Sequence, residues 1–186
     1  MWRNTQKSYG WVAILFHWTI AVLFLCQIPL GYLTQAIQNR PALQFELYQW
    51  HKSIGFLVLA LAVPRLLWVL MTVRPRPLPE TTRLEATGAR AAHLALLLLT
   101  ILVPLAGWAV ASTSPLRIPS YVFNLLVIPP LPLTPSERQE IFWSNVHALL
   151  AYGGGVIALL HILAALRHHF VLHDGTLIRM LRPHDH

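Results

Sequence analysis

The chain has 186 residues, of which 55% are hydrophobic and only 11% charged. A soluble domain carries about 25% charged residues, so the composition argues against an ordinary soluble fold and for a membrane protein built from helices. The net charge of +7 would suit a nucleic-acid partner, but the placement of the basic residues, described below, sets that class aside.

The first run free of Asp, Glu, Lys and Arg extends from Ser8 to Asn39. A spanning helix needs about 20 apolar residues, and this run predicts one over 11–34. Arg3 and Lys7 precede it, as a basic flank precedes a secretory signal. No A-x-A type cleavage site follows, and the run is long enough to span, so an uncleaved helix is expected. It holds His17, Pro29 and Cys26. Cys26 is the only cysteine of the chain, which rules out an internal disulfide and a thiolate-ligated cluster.

A second helix is expected over 46–72, where Ser53 to Val73 is interrupted by one charge, Arg65. His51 and Lys52 lie near its start and Pro64 within it. The segment VRPRPLPE (73–80) reads as a stiff, extended linker. A third helix is expected over 91–112, inside the charge-free run Ala91 to Leu116, with His93 at its start and Pro104 inside. The loop 113–139 follows. Ser112 to Glu140 contains six prolines, which exclude a continuous helix. Its apolar centre, Tyr121 to Ile128, is too short to span. It is expected at the membrane surface, either as a lid over the bundle or as a plain interfacial loop. The fourth helix, 140–167, contains the charge-free run Ile141 to Leu166 and carries His147, Gly153–Gly154–Gly155 and His161. A polar tail, 168–186, ends the chain as given.

Basic residues divide unevenly among the connections. Arg3, Lys7, Arg74, Arg76, Arg83, Arg90, Arg167, Arg179 and Arg182 fall with the termini and the second loop; Arg40, Lys52, Arg117 and Arg138 fall at the other side. Cytoplasmic loops carry the excess of Lys and Arg, so both termini are expected in the cytoplasm and loop 113–139 in the periplasm. The positive charge is thus a topology signal, with no nucleic acid as partner. Irregular backbone is not tolerated against lipid, so residues 1–186 form one membrane domain: an all-α, integral membrane four-helix bundle surrounded by lipid.

Five histidines lie inside the expected spans: His17, His51, His93, His147 and His161. An ionisable group in a bilayer is costly and normally faces the bundle interior. A single one is well explained as a side chain bonded to a neighbouring helix; the set asks for more. His147 and His161 are fourteen residues apart, about 21 Å along a helix and about 40° short of a common face. The first helix enters from the cytoplasm, so His17 lies at the depth of His161. The second enters from outside, so His51 lies at the depth of His147. Two His/His pairs are thereby stacked across the membrane.

Two opposed imidazoles within hydrocarbon suit a haem iron ligated on both faces. Zinc prefers four compact ligands, and neither level offers a carboxylate or a thiolate. A proton relay would want acidic groups, and the spans lack them. Helix bundles commonly house cofactors between facing helices. Arg65 is fourteen residues after His51, at the depth of the inner pair. It needs an anion, which a haem propionate would supply; snorkelling to the surface is the alternative. Lys52 is placed to meet the outer haem's propionates or an anionic substrate, as well as to be an ordinary interfacial lysine. The three glycines let flat rings or a neighbouring helix come close. His93 has no partner at matching depth on this reading; a quinone pocket, a proton relay and a structural hydrogen bond all remain open for it. His168, His169 and His173 are expected to be solvated.

The stretches YGWVAILFHW (9–18), LYQWHKSIGFLVLALAVPRLLWVL (47–70), AHLALLLL (92–99), VHALLAYGGGVIALLHILAALRHHF (146–170) and DGTLIRM (174–180) resemble the bacterial cytochrome b561 family of small di-haem membrane proteins. The resemblance covers nearly the whole chain. It implies two haem b groups, with His17 and His161 on the inner haem iron, His51 and His147 on the outer one, and Arg65 at the family's arginine of the second helix. It also implies a place in the bacterial inner membrane and electron transfer between a periplasmic donor or acceptor and the quinone pool. One member is a superoxide oxidase, which passes electrons from superoxide to ubiquinone; HKSIG and DGTLIRM look closer to members without an assigned reaction. Other readings are a membrane-anchor cytochrome subunit of a larger oxidoreductase, and a haem-free transporter that uses its histidines directly.

Overall fold

The computed structural model describes residues 1–76, 78 and 82–183; the rest of the linker and the last three residues of the tail lie outside the described residues. Four long helices dominate: α1 (Trp11–Ala36), α2 (Pro41–Met71), α3 (Arg83–Thr113) and α4 (Glu137–Phe170). Each is long and apolar enough to cross a membrane, and the chain is a four-helix membrane bundle. α2 and α3 start earlier than the apolar runs suggest, because caps and not hydropathy set their ends. Pro41 occupies the first turn of α2, where its missing N–H costs nothing. Thr82 caps α3: its hydroxyl accepts from Glu85 N at 3.2 Å, while the Glu85 carboxylate accepts from Thr82 N at 3.1 Å, a reciprocal box. At 31 residues, α2 is about 46 Å long, against about 30 Å of hydrocarbon, so its ends project beyond the apolar layer. Ser136 caps α4 through Gln139 N, with Glu137 and Glu140 in the first turn and Arg167, His168 and His169 in the last, each sign where the helix dipole favours it.

α3 packs along α4, α1 along α2, and α2 against α3, whereas α1 and α4 approach each other at only a few points. The core is a thin inner seam of Ile14, Ile20, Phe24, Val58, Ala62, Leu97, Val103, Ala106, Ala109 and Ala158. Large apolar side chains such as Leu15, Val22, Leu149, Val156 and Leu163 point outward, the arrangement expected when lipid is the solvent. Gly154 meets Phe24 and Leu99, and Gly155 meets Ile28, so two of the three glycines let α1 and α3 close on α4.

The α3–α4 connection is more ordered than its prolines suggest. Ser120–Val122 (β1) and Leu126–Ile128 (β2) pair antiparallel, joined by a tight turn with φ of 49° at Phe123 and 56° at Asn124. Leu125 N donates to Val122 O at 2.9 Å, and both central residues of that turn are left-handed, as a primed turn requires; Leu125 is the third residue of the connection. Asn tolerates that conformation and Phe does not. Phe123 is held there by its N–H on Ser53 Oγ at 3.0 Å and by an edge contact with Trp50. Ser53 Oγ also donates toward Tyr121 O, Trp108 Nε1 donates to Pro129 O at 3.0 Å, and Leu131 N donates to Ser112 Oγ at 2.9 Å. The hairpin is strapped to α2 and α3 and closes this end of the bundle.

The opposite end is closed by the two termini. Asn4 Nδ2 donates to Thr72 Oγ1 and its Oδ1 accepts from Gly10 N, which folds the N-terminal segment onto the end of α2. The tail turns back through a 3-10 turn at Ile178–Met180. Trp18 Nε1 donates to Met180 O at 2.7 Å, and Arg179 donates to the carbonyls of Lys7 and Arg76. His168 was expected to be solvated; instead its Nδ1 donates to Asp174 Oδ2 at 2.5 Å, and both side chains are mostly covered. The reversal of the chain after α4 brings that carboxylate back under the helix end. Burial alone would raise the Asp174 carboxyl, but the Thr176 hydroxyl and amide together with His168 outweigh it and hold it below its ordinary value. A lowered carboxyl contributes stability that is full above the unfolded value near 3.9 and fades as pH falls through the folded one. The Asp174→Asn variant should therefore be less stable than the parent at neutral pH, by about 1 kcal/mol. The gap should close below about pH 4, read as thermal midpoints in detergent.

Candidate functional site

Two histidine pairs span the seam between the helix pairs. At the termini end, His17 of α1 faces His161 of α4, with ring centroids 6.3 Å apart and planes at 73°. At the hairpin end, His51 of α2 faces His147 of α4, with centroids 6.0 Å apart and planes at 87°. These helices are brought near each other by α1–α2 and α3–α4 packing and not by direct contact along their lengths, so the rings reach across the seam. Two metal–nitrogen bonds of about 2 Å, plus half an imidazole ring on each side, add to about 6 Å. Both separations therefore accommodate one metal atom between two ring nitrogens. Among the described residues, no group of three or more His, Cys, Asp or Glu is placed to hold a metal ion. The donor set at each level is two opposed imidazoles, which suits axial ligation of an iron whose other ligands come from a macrocycle.

His93 does not stand alone, contrary to the expectation from depth. Its ring lies 5.2 Å from that of His161, edge to face. α3 begins about two turns before the apolar run, and its close packing on α4 sets His93 at the level of His161. That spacing is a ring contact, shorter than the about 6 Å that a metal between two opposed nitrogens needs, and so it distinguishes His93 from His17.

Close approach of the backbone shapes the hairpin-end pair. A Cβ on Gly31 would lie 2.9 Å from His51 Cε1, and one on Gly107 would lie 3.1 Å from His147 Cε1. Each imidazole thus brings its Cε1 close to a glycine of the neighbouring helix. His147 Nδ1 donates to Val103 O at 2.9 Å, which leaves Nε2 as the lone-pair nitrogen, the tautomer a metal ligand needs. His51 Nδ1 is buried with no hydrogen-bond partner among the described residues.

At the termini end, Arg65 Nη2 lies 3.2 Å from His17 Nδ1. A guanidinium only donates, so here His17 Nδ1 accepts. Trp68, one turn after Arg65, has its indole N–H buried without a partner among the described residues. Arg65, beside His17, and Trp68, three residues on along α2, are two donors with no carboxylate among their described contacts. An acidic group such as a haem propionate fits that pair of donors. Tyr9, just before α1, lies in the same field: burial pushes its phenol up, against the opposing pull of Arg179, Arg74 and Arg65. Lys52, beside His51, also reaches the α3–α4 connection. Its Nζ reaches Pro119 O at 3.4 Å, beside Gln49 Nε2 on the same carbonyl, so it fastens the hairpin segment as well as lying next to His51.

Residues 8–183 match the family described as prokaryotic cytochrome b561. The chain belongs to the prokaryotic cytochrome b561 family. Cytochrome b561 homolog 2 of Escherichia coli (strain K12) is 32% identical over 178 residues, 96% of this chain and 93% of that protein. The probable superoxide oxidase CybB of Yersinia pestis is 28% identical over 95% of this chain and 97% of its own length. Cytochrome b561 homolog 1 of Escherichia coli (strain K12) is 24% identical over 96% of this chain. As a member of the cytochrome b561 family, the chain is a multi-pass protein of the bacterial inner membrane with a b-type haem and a role in membrane electron transfer.

The sequence did not single out Gln27, Gly31, Trp68 or Gly107. Gln27 carried a signal, since it is an amide in the middle of an apolar span, and such groups bridge helices. Trp68 carried one too, three residues from Arg65 and so on a neighbouring part of its face. Gly31 and Gly107 carried none, because only the helix packing shows what rests on them.

Proposed function

We propose that the protein is a di-haem b-type cytochrome that carries electrons across the inner membrane between a periplasmic donor or acceptor and the quinone pool. The observation that carries this reading is the pair of facing imidazoles repeated at two depths, with centroids 6.3 and 6.0 Å apart. His17 and His161 would hold the inner haem; His51 and His147 would hold the outer one. When bound, haem iron supplies a reversible one-electron couple, and with both axial positions filled it passes electrons without readily taking oxygen. The chain's own residues orient and shield that couple. Val103 O fixes the His147 tautomer. Arg65, now on His17 Nδ1, has to leave that nitrogen for His17 to ligate through Nε2, and a propionate offers it and Trp68 an acceptor.

The hairpin closes the outer end and the folded termini close the inner end, which keeps water from both levels. The orientation rests on charge: the end with both termini holds most of the basic residues, as cytoplasmic ends do. Ubiquinone is the proposed partner there, near His93 and Arg65.

A reduced-minus-oxidised absorbance spectrum of the purified protein, with haem quantified per chain, tests the core of this reading. Two b-type haems per chain are expected; a colourless protein from haem-replete cells would sink it. A second reading, superoxide:ubiquinone oxidoreductase, is favoured by the likeness to the Yersinia pestis relative. Lys52, Arg117 and Arg138 are its candidates for guiding an anion, but Glu46, Glu137 and Glu140 lie at the same end and leave little net field for steering. Rapid mixing with superoxide decides it: haem reduction supports the activity, and unreduced haem rejects it.

A further inference from the structure

Gln27 and His51 form an unfinished contact between α1 and α2. Gln27 Nε2 donates to the backbone carbonyl of His51 at 2.8 Å. Gln27 Oε1 is buried and has no hydrogen-bond partner among the described residues, and neither has His51 Nδ1. One is a strong acceptor and the other, in the tautomer that frees Nε2, is an N–H donor. Leaving both unpaired in an apolar interior costs about 1–3 kcal/mol for each.

The surrounding residues show that the approach is built in. Gln27 and Gly31 are four apart, on one face of α1, and His51 and Gly55 are four apart, on the facing side of α2. A Cβ on Gly55 would lie 3.2 Å from Gln27 Nε2, and a Cβ on Gly31 would meet the His51 ring, 3.5 Å from Nδ1. Each glycine makes room for the other helix's functional side chain. At the same level, His147 already has its acceptor in Val103 O, so His51 is the member of that pair that lacks one.

We propose that Gln27 is the positioning residue for His51: its Oε1 accepts the His51 Nδ1–H while its Nε2 stays on the His51 carbonyl. The assignment rests on the di-haem reading. In that setting the amide fixes the ring's tautomer and orientation and raises its basicity as a ligand, which holds down the reduction potential of the outer haem.

Redox titration of purified Gln27→Met and Gln27→Glu, each beside the parent, tests it. Methionine removes the acceptor and the donor; glutamate keeps the acceptor oxygen and loses the amide donor to the His51 carbonyl. Both variants should retain two haems. Gln27→Met should favour reduction of one haem by about tenfold, a shift of about 59 mV for a one-electron couple, with the other haem unmoved. The shifted haem should be the one that disappears in His147→Ala. Gln27→Glu should show no such rise. Equal rises in both variants would assign Gln27 to helix tying alone and overturn the proposal, as would unmoved potentials in Gln27→Met. A parent without haem would overturn the di-haem reading itself and this assignment with it. If Gln27→Met does not yield folded protein, Gln27→Leu, which also lacks the acceptor, is titrated in its place with the same expectation.

Discussion

Replacing His147 with alanine should remove one haem of two and leave the other with its spectrum intact. The His51→Ala variant should lose the same haem, and the double variant no more than either single one. His17→Ala and His161→Ala should behave likewise for the second haem, whereas a cross-pair double such as His51→Ala with His161→Ala should be colourless. The reasoning is geometric. On the proposed reading, facing rings 6.0 Å apart would share one iron, so the two residues would act as a unit and their losses would not add. The two levels are about 21 Å apart along α4, and effects at separate sites are independent. His93→Ala is the internal control: its ring is 5.2 Å from His161, too near to share a metal, so both haems should stay. The measurement is haem per chain, with reduced-minus-oxidised spectra of each variant. If His51→Ala and His147→Ala were to remove different haems, the pairing across the seam would be wrong.

The large features of this fold were legible in the sequence because a bilayer leaves few choices. Charge-free runs gave the four helices, since backbone in hydrocarbon must be helical or closed into a barrel. The fourteen-residue spacing in α4 and the alternating direction of the helices were enough to match His17 with His161 and His51 with His147. What stayed hidden depended on packing between elements. The extra turns at the starts of α2 and α3 came from Pro41 and from the Thr82–Glu85 box, and the packing of α3 on α4 set His93 against His161. The hairpin at Ser120–Ile128 was masked by its flanking prolines, and its turn places a phenylalanine where glycine or asparagine is usual. The tail looked solvated because His168 and Asp174 read as separate charges until the chain reversal joined them.

Gly31→Val should cost the outer haem while leaving the inner one in place. No side chain fits at this position without moving something, because even a first carbon would stand 2.9 Å from His51 Cε1. The ring would have to swing away or α1 and α2 would have to part, at about 1–3 kcal/mol. Either movement breaks the register with His147, and a ligand displaced by even about 1 Å is functionally lost. Gly107→Val should act on the same haem from the other side, through His147, with a smaller effect because the contact at 3.1 Å leaves slightly more room. Gly153→Ala separates this cause from general loosening of the bundle. Nothing lies within 4 Å of a Cβ there, and alanine in a helix interior is favoured over glycine by about 1 kcal/mol, so that variant should keep both haems and gain stability. Selective loss of one haem in Gly31→Val and Gly107→Val, with two retained in Gly153→Ala, would place the outer haem between α1–α2 and α3–α4 at the level of these glycines. Loss of both haems in all three would mean instead that the glycines hold the bundle together and do not shape a site.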